Sequence, residues 1–354
     1  MPERSKQELP QLNSDGSLLD IRDLKVSFVG RERSVIAVDR LSLTVAPGEV
    51  VGIVGESGSG KSVSMMSVLG LVRGPNVRIS GEVRFGDRNL LELDDRRLRE
   101  IRGRQIAMIF QDPMTALTPV YTVGWHIAEQ LRAHQKLTRR QAFARAVELL
   151  AEVGIPSPAE RVRAYPHQLS GGMRQRAVIA MSLACDPALL IADEPTTALD
   201  VTTQAQILDL LGRLREEHGS AIVIITHDMG VVSTMADRVL VMYAGALVEE
   251  GDRKRVFRRP EHPYTQGLLR SVPRVDGERV DRLVAIPGSP AVLSEDATGC
   301  SFAPRCEHRH EACRIRPALL GDRGQRYACW LGRRPEAAEA LVQQQELPNA
   351  EAGV

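Results

Sequence analysis

Two stretches of this chain carry side chains suited to phosphate chemistry. The first, Gly55-Glu56-Ser57-Gly58-Ser59-Gly60-Lys61-Ser62, fits the G-x-x-x-x-G-K-[ST] pattern. Glycines between a strand and a helix let successive backbone N–H groups turn inward, as a triphosphate requires of a backbone. Lys61 can then reach the β- and γ-phosphates, and the Ser62 hydroxyl can be a magnesium ligand. The second stretch is the apolar run Leu189 to Ala192, which ends in Asp193 and Glu194. A buried strand opening onto two carboxylates suits a magnesium site, with Asp193 holding the metal through its shell and Glu194 orienting or deprotonating the attacking water. Between them lies Leu169 to Arg176, LSGGMRQR, where Ser170, Gly171 and Gly172 open a helical run. Free N–H groups and a hydroxyl can face an anion there with no Cβ in the way.

The elements that must position these groups follow from periodicity. Apolar alternation at Leu24 to Phe28, Ile36 to Val45 and Val50 to Val54 predicts strands, the last two separated by the Pro47-Gly48 turn. The third delivers the glycine-rich loop, and Ser62 to Leu71 reads as the helix behind it. Ile106 to Phe110 is another buried strand with Gln111 at its end. From Thr122 to about Ala184 helical spacing dominates, broken at Gly154-Ile155-Pro156 and Tyr165-Pro166, which predicts a helical subdomain inserted in an α/β core. The core resumes with a strand at Ala188 to Ala192, a helix around Gln204 to Glu217, and a strand at Ala221 to Thr226 ending at His227. Strands alternating with helices imply a largely parallel sheet.

Composition limits the alternatives. The 354 residues, 43% hydrophobic, suffice for one core domain and a smaller appendage. A net charge of +1 gives no global field that would argue for nucleic acid as partner. No apolar run is long enough to span a membrane, and the polar N-terminus lacks a signal-peptide core, so a cytosolic protein is expected. The basic run Arg253, Lys254, Arg255, Arg258, Arg259 reads as a solvated helix face. Cys185 stands alone as a buried small residue, whereas Cys300, Cys306, Cys313 and Cys329 gather late in the chain. In a cytosolic chain such a cluster points to metal before disulfides, but its C-x5-C-x6-C-x15-C spacing does not name the metal.

The phosphate loop, Gln111, LSGGMRQR, the IADEP run, Ala198-Leu199-Asp200 and Ile225-Thr226-His227 occur in the order of ATP-binding cassette ATPases, which residues 20 to 250 resemble. The resemblance implies an α/β, ABC-type P-loop NTPase core with a mixed sheet, an inserted helical subdomain at about 112–185, and ATP and Mg2+ as ligands. It implies that Gln111 senses magnesium and water while coupling to a membrane partner, that Asp200 contacts a facing subunit, and that His227 bridges the γ-phosphate. Ser170 and Gly172 would meet the γ-phosphate held by that second subunit, and Phe28 resembles the aromatic that stacks on adenine.

Within the class, DEPTTALDVTTQAQIL and FQDPMTALTPVYTVG resemble the D-type ATPase of dipeptide and oligopeptide importers. So does the extension, from Glu261-His262-Pro263-Tyr264-Thr265-Gln266-Gly267 through Ile286-Pro287-Gly288-Ser289-Pro290. Ala116 and Thr118 depart from the pattern, since relatives commonly carry Ser and Asn there. Gly299 to Cys306 resembles the C-terminal motif whose four cysteines hold a [4Fe-4S] cluster, with zinc or metal-free thiols as alternatives. The implied division is a flexible tail at 1–17, the nucleotide-binding domain at 18–251, a small metal-binding extension at 252–330 and a second tail at 331–354. Implied partners are a second cassette, an F-type paralogue, two transmembrane permease subunits and an extracytoplasmic substrate-binding protein, with no nucleic acid. The chain would sit peripherally on the cytoplasmic face of the membrane. A nickel or other small-solute importer, or a soluble cassette ATPase acting on ribosomes or DNA, are the rival readings.

Overall fold

The computed structural model describes residues 11–31, 33–197, 199–271, 285–291, 293, 298–322 and 324–331. Ala198, most of the expected N-terminal tail and residues 332–354 of the C-terminal one lie outside them.

Two sheets form the core. The smaller is antiparallel, ordered β2-β1-β4-β5, and comprises β1 (Leu19–Val29), β2 (Ser34–Val45), β4 (Val77–Phe85) and β5 (Arg88–Asn89). The larger has eight strands in the order β11-β12-β10-β9-β3-β8-β7-β6. Its parallel part is β9 (Arg238–Tyr243), β3 (Val50–Val54), β8 (Ala221–Thr226), β7 (Leu189–Asp193) and β6 (Ile106–Ile109). Every residue of β3, β7 and β8 is buried, which explains why these strands read as continuous apolar runs. The sheet is therefore mixed: β10 (Ala246–Asp252), β12 (Gln325–Tyr327) and β11 (Leu320–Asp322) join it antiparallel.

Helix α1 (Lys61–Val68) follows β3 and is shorter than its apolar pattern suggests, because Leu69 caps it and Gly70 turns the chain at φ 63°. After α2 (Asp95–Ile101) and β6, the inserted helical layer contains α3 (Pro113–Ala116), α4 (Val123–His134), α5 (Arg139–Glu152), α6 (Pro158–Arg161) and α7 (Gly171–Leu183). Threonine hydroxyls cap α4 and α5, each accepting from an N–H of the first turn. Leu131, Ala142, Ala146, Leu149, Val178 and Ile179 share one buried cluster with Ile109 and Leu190 of the sheet, so this layer is packed onto the core rather than tethered to it.

Helices α8 (Val201–His218) and α9 (Met229–Met235) complete the core, and α10 (Arg253–Arg258) and α11 (Pro263–Arg270) begin the extension. The extension is not set apart from the sheet. Glu249, Glu250 and Gly251 of β10 pair with Tyr327, Arg326 and Gln325 of β12. Tyr264, Leu293 and Phe302 share a buried cluster with Val54, Val241 and Tyr243, which places the extension against the strands that carry the glycine-rich loop.

Candidate active site

Strands β3, β8, β7 and β6 are adjacent and parallel, so the residues following each of them emerge along one edge of the sheet. This brings Gly55–Ser62, His227, Asp193-Glu194 and Gln111 together although they span 173 residues, from position 55 to position 227. The loop's tight path needs glycine at its ends. A Cβ on Gly55, at φ 155°, would lie 2.2 Å from the Met242 carbonyl oxygen, and one on Gly60, at φ 93°, 2.2 Å from that of Ala37.

Lys61 is buried and folds back over its own loop. Its ammonium donates to the carbonyls of Gly55 (2.7 Å) and Glu56 (2.8 Å) and lies 3.3 Å from the Ser59 hydroxyl. Burial lowers its pKa, an effect opposed by the nearby charges of Glu194, Asp193 and Glu56. Ser62 donates to Asp193 Oδ1 at 2.9 Å, bringing together the two oxygen donors expected at a magnesium ion. Burial raises the Asp193 pKa, against the lowering effect of that hydrogen bond.

Glu194 is the centre of the arrangement. Its Oε2 accepts from Gln111 Nε2 (2.9 Å) and Thr197 Oγ1 (2.8 Å), while Oε1 lies 3.0 Å from His227 Nδ1. Burial works against ionisation, but the bonds from His227 and Thr197 outweigh it and hold the carboxyl below its ordinary range. The carboxylate is thus charged at neutral pH and held by three partners. Its backbone stands at φ 47°, a left-handed conformation costly for a residue with a Cβ, stabilised in part by the Glu194 N–H donating to Ile225 O at 2.8 Å. The side chain of His227 is 62% exposed.

The remaining predicted residues lie elsewhere. Ser170 caps α7, accepting from the Met173 N–H, and Asp200 caps α8, accepting from the Thr203 N–H and hydroxyl. These two caps are neighbours: a Cβ on Gly172 would meet Thr203 Cγ2 at 2.8 Å, and one on Gly171 would lie 3.8 Å from Leu199. Phe28 sits near the end of β1, opposite Val35 and Val77, and is 36% exposed.

Two residues that touch the phosphate loop were not singled out from the sequence. The Glu56 carboxylate is gripped by Arg305 through two bonds, Nη1 to Oε2 at 2.6 Å and Nη2 to Oε1 at 3.0 Å. The Glu56 N–H donates to the Tyr264 hydroxyl at 2.8 Å. Tyr264 belongs to the HPYTQG run and Arg305 precedes Cys306, so both lay within motifs already recognised for other reasons.

Cys300, Cys306, Cys313 and Cys329 line one small cavity with His262, Phe302 and Trp330. The Cys300 N–H donates to Cys313 O at 2.9 Å, and burial pushes the Cys300 thiol up to about 11. Among the described residues, no group of three or more His, Cys, Asp or Glu is arranged to hold a metal ion. Nor is any described helix long and apolar enough to cross a membrane.

This geometry agrees with what the chain is similar to. Residues 38–197 match the family model described as ABC transporter, and residues 248–313 match that of the oligopeptide/dipeptide transporter C-terminal region. A probable peptide ABC transporter ATP-binding protein of Sinorhizobium fredii is 51% identical over 88% of this chain and 94% of its own length. The chain belongs to the ABC-type ATPases of peptide transporters. The dipeptide transport ATP-binding protein DppD of Haemophilus influenzae is 50% identical over 86% of this chain and 92% of its own. The oligopeptide transport ATP-binding protein OppD of Salmonella typhimurium is 49% identical over 85% and 90%. Among solved structures, the dimeric cassette MJ0796 bound to ADP and Pi superposes with a TM-score of 0.60 at 30% identity, covering 66% of this chain and 98% of that one.

Proposed function

We propose that this ABC ATPase hydrolyses ATP to energise the import of dipeptides or oligopeptides, working as one of two cassettes on the cytoplasmic face of two permease subunits. An extracytoplasmic binding protein would deliver the cargo, and an F-type paralogue would supply the second cassette. The observation that carries the hydrolytic reading is Glu194, held as an ionised carboxylate by Gln111, Thr197 and His227 beside the phosphate loop. The cargo class rests on the matched C-terminal region and the relatives' assignments.

The loop N–H groups and Lys61 bind the β- and γ-phosphates, Lys61 exchanging its carbonyl partners for phosphate oxygens. Ser62 and Asp193 would supply oxygen donors to Mg2+, which would neutralise charge developing on those phosphates. Glu194 accepts a proton from the attacking water, and His227 and Gln111 fix the carboxylate's orientation. Ser170 and Gly172 lie with the α8 cap instead of the loop, which supports a pair of cassettes closing head to tail, each offering its signature helix to the other's γ-phosphate.

The four cysteines line one cavity with Phe302 and Trp330 and supply the four thiolates a [4Fe-4S] cluster takes, although among the described residues they are not arranged to hold a metal ion, so the cluster is a proposal from the donor set. Bound there, the cluster would tie residues 300–329 into a knob in a segment too short to build its own core. Co-expression with the adjacent cassette and permease genes, followed by ATP-driven peptide uptake in vesicles, tests the functional reading. Uptake of no peptide by a complex that hydrolyses ATP on demand of another solute would overturn the cargo.

A further inference from the structure

The phosphate loop of a P-loop ATPase is usually braced by its own strand and helix. Here one of its residues is also held from outside. Glu56 is engaged at three points: its carboxylate by Arg305, its N–H by the Tyr264 hydroxyl, and its carbonyl by Lys61 Nζ at 2.8 Å. The first two partners come from the extension. The third is the lysine that must meet the nucleotide.

The brace is built with care on the extension side. The Arg305 side chain is 5% exposed, and its Nε donates to Pro287 O at 2.7 Å while Nη2 also donates to Ile286 O at 3.2 Å. Its guanidinium lies 5.8 Å from the Tyr243 ring centroid, and Tyr243 in turn packs on Tyr264 and Phe302. Arg305 therefore cannot swing to water without leaving a buried charge site behind, and its planar fork matches the carboxylate in a way a lysine could not. It immediately precedes Cys306, so its position along the chain is set by the short turn Ala303–Arg305 that carries the cysteine onto the shared cavity.

We propose that Arg305 is a positioning residue for the phosphate loop, fixing Glu56 and with it the path of the loop backbone that presents N–H groups to the phosphates, so that the seating of the cysteine-bearing knob sets the affinity for ATP. This rests on the reading of Gly55–Ser62 as the ATP site. A loop that is competent only part of the time binds with an affinity reduced by that fraction, so freeing Glu56 from its brace weakens binding without altering the groups that act on water. Glu194, Gln111 and His227 do not touch the brace.

The test uses the full chain, prepared anaerobically, and a fluorescent ATP analogue titrated at equilibrium. Arg305→Ala is expected to weaken binding about tenfold, as for a loop competent about a tenth of the time, and Arg305→Lys by less because charge remains while the fork is lost. Glu56→Gln, which removes the partner from the loop side and leaves the extension's sequence intact, should give a similar loss. The double variant should lose no more than either single one. In the assembled transporter the KM for ATP should rise about tenfold with kcat within about twofold, a split that general destabilisation would not produce. Cys306→Ser should weaken binding in the parent but not further in an Arg305→Ala background. Parental affinity in both Arg305→Ala and Glu56→Gln would overturn the proposal, as would losses that multiply in the double variant. Lys61→Ala serves as the reference: if it too binds the analogue at parental affinity, the ATP-site reading itself has failed, whereas a loss there alone rejects only the brace.

Discussion

Glu194→Gln should separate chemistry from binding, and the site geometry says why the substitution is clean. In the parent, Oε2 receives two donors, Gln111 Nε2 and Thr197 Oγ1, whereas Oε1 faces His227 Nδ1, which can be donor or acceptor according to tautomer. An amide can keep its oxygen toward Gln111 and Thr197 and turn its NH2 toward an unprotonated His227 Nδ1. All three contacts survive, and the left-handed backbone at residue 194 need not move. What is lost is the negative charge and the ability to take a proton. General-base catalysis contributes about a hundredfold to ten-thousandfold, or about 3 to 5 kcal/mol of barrier, so turnover should fall by that range. ATP affinity should stay within about threefold, because no bond to the phosphates is removed and one repulsive charge near them is gone. Steady-state phosphate release from the reconstituted transporter, with equilibrium binding measured on the same preparation, checks both. Turnover near the parent rate would refute the assignment of Glu194 as base, and loss of binding together with turnover would show that its role is to hold the loop.

Lys61→Ala should act in the opposite sense, weakening ATP binding itself, since its buried ammonium is placed over the loop carbonyls; an analogue titration reads this directly. Protein purified without oxygen should be brown, carry about four irons per chain as the cluster formula requires, and lose colour on Cys306→Ser; stoichiometric zinc in place of iron would reject the cluster. Co-expression followed by mass analysis should recover this chain with a different cassette on the permeases, and two identical copies would remove the heteromer. Buried His126 accepts the Thr118 N–H at Nε2 (2.9 Å), and its Nδ1 lies 2.9 Å from Thr122 O, burial lowering its pKa below the ordinary value. A depressed histidine pKa means that the unfolded chain binds the proton first, so stability is flat above about pH 6.5 and falls below it, by at most about 1.4 kcal/mol per pH unit; amide exchange across residues 118–131 should speed up on acidification in the parent more than in His126→Gln.

The parts of this molecule legible in the sequence are those whose physics is local. β3, β7 and β8 are buried on both faces and read as unbroken apolar runs, and the phosphate loop needs its glycines at fixed offsets because backbone carbonyls stand 2.2 Å from where a Cβ would be. The hairpin of β9 and β10 escapes the same reading. Its turn is Ala244-Gly245, with φ 46° and 79°, and alanine is a poor advertisement for a turn usually made by Asn-Gly or Asp-Gly. Strand β4 was equally silent: most of its residues are exposed or half-buried, and Gly81 interrupts its pattern.

The extension was hardest to read because its meaning is not local. Its composition, rich in proline and arginine, suggests a loose appendage, and its basic run suggests a solvated face. The solvated face is what the structure has, since Lys254, Arg255, Arg258 and Arg259 are exposed, but two of the arginines also have definite partners: Arg253 donates to Ser233 O at 2.6 Å, and Arg255 bonds Asp322 at 3.2 Å. The Glu-His-Pro-Tyr run works in the same way. Buried Glu249 accepts the N–H groups of Glu261 and His262 at 2.8 and 3.0 Å, His262 caps α11 through the Tyr264 N–H, and Pro263 begins that helix at the position where a missing N–H costs nothing. Every step turns α11 so that the Tyr264 hydroxyl arrives at the Glu56 N–H. A motif whose residues spend their side chains on one another gives no hint, in one dimension, that its product is a single hydroxyl set against a loop 208 residues away. Only the sheet order, with β10 beside β9 and β9 beside β3, makes that distance short.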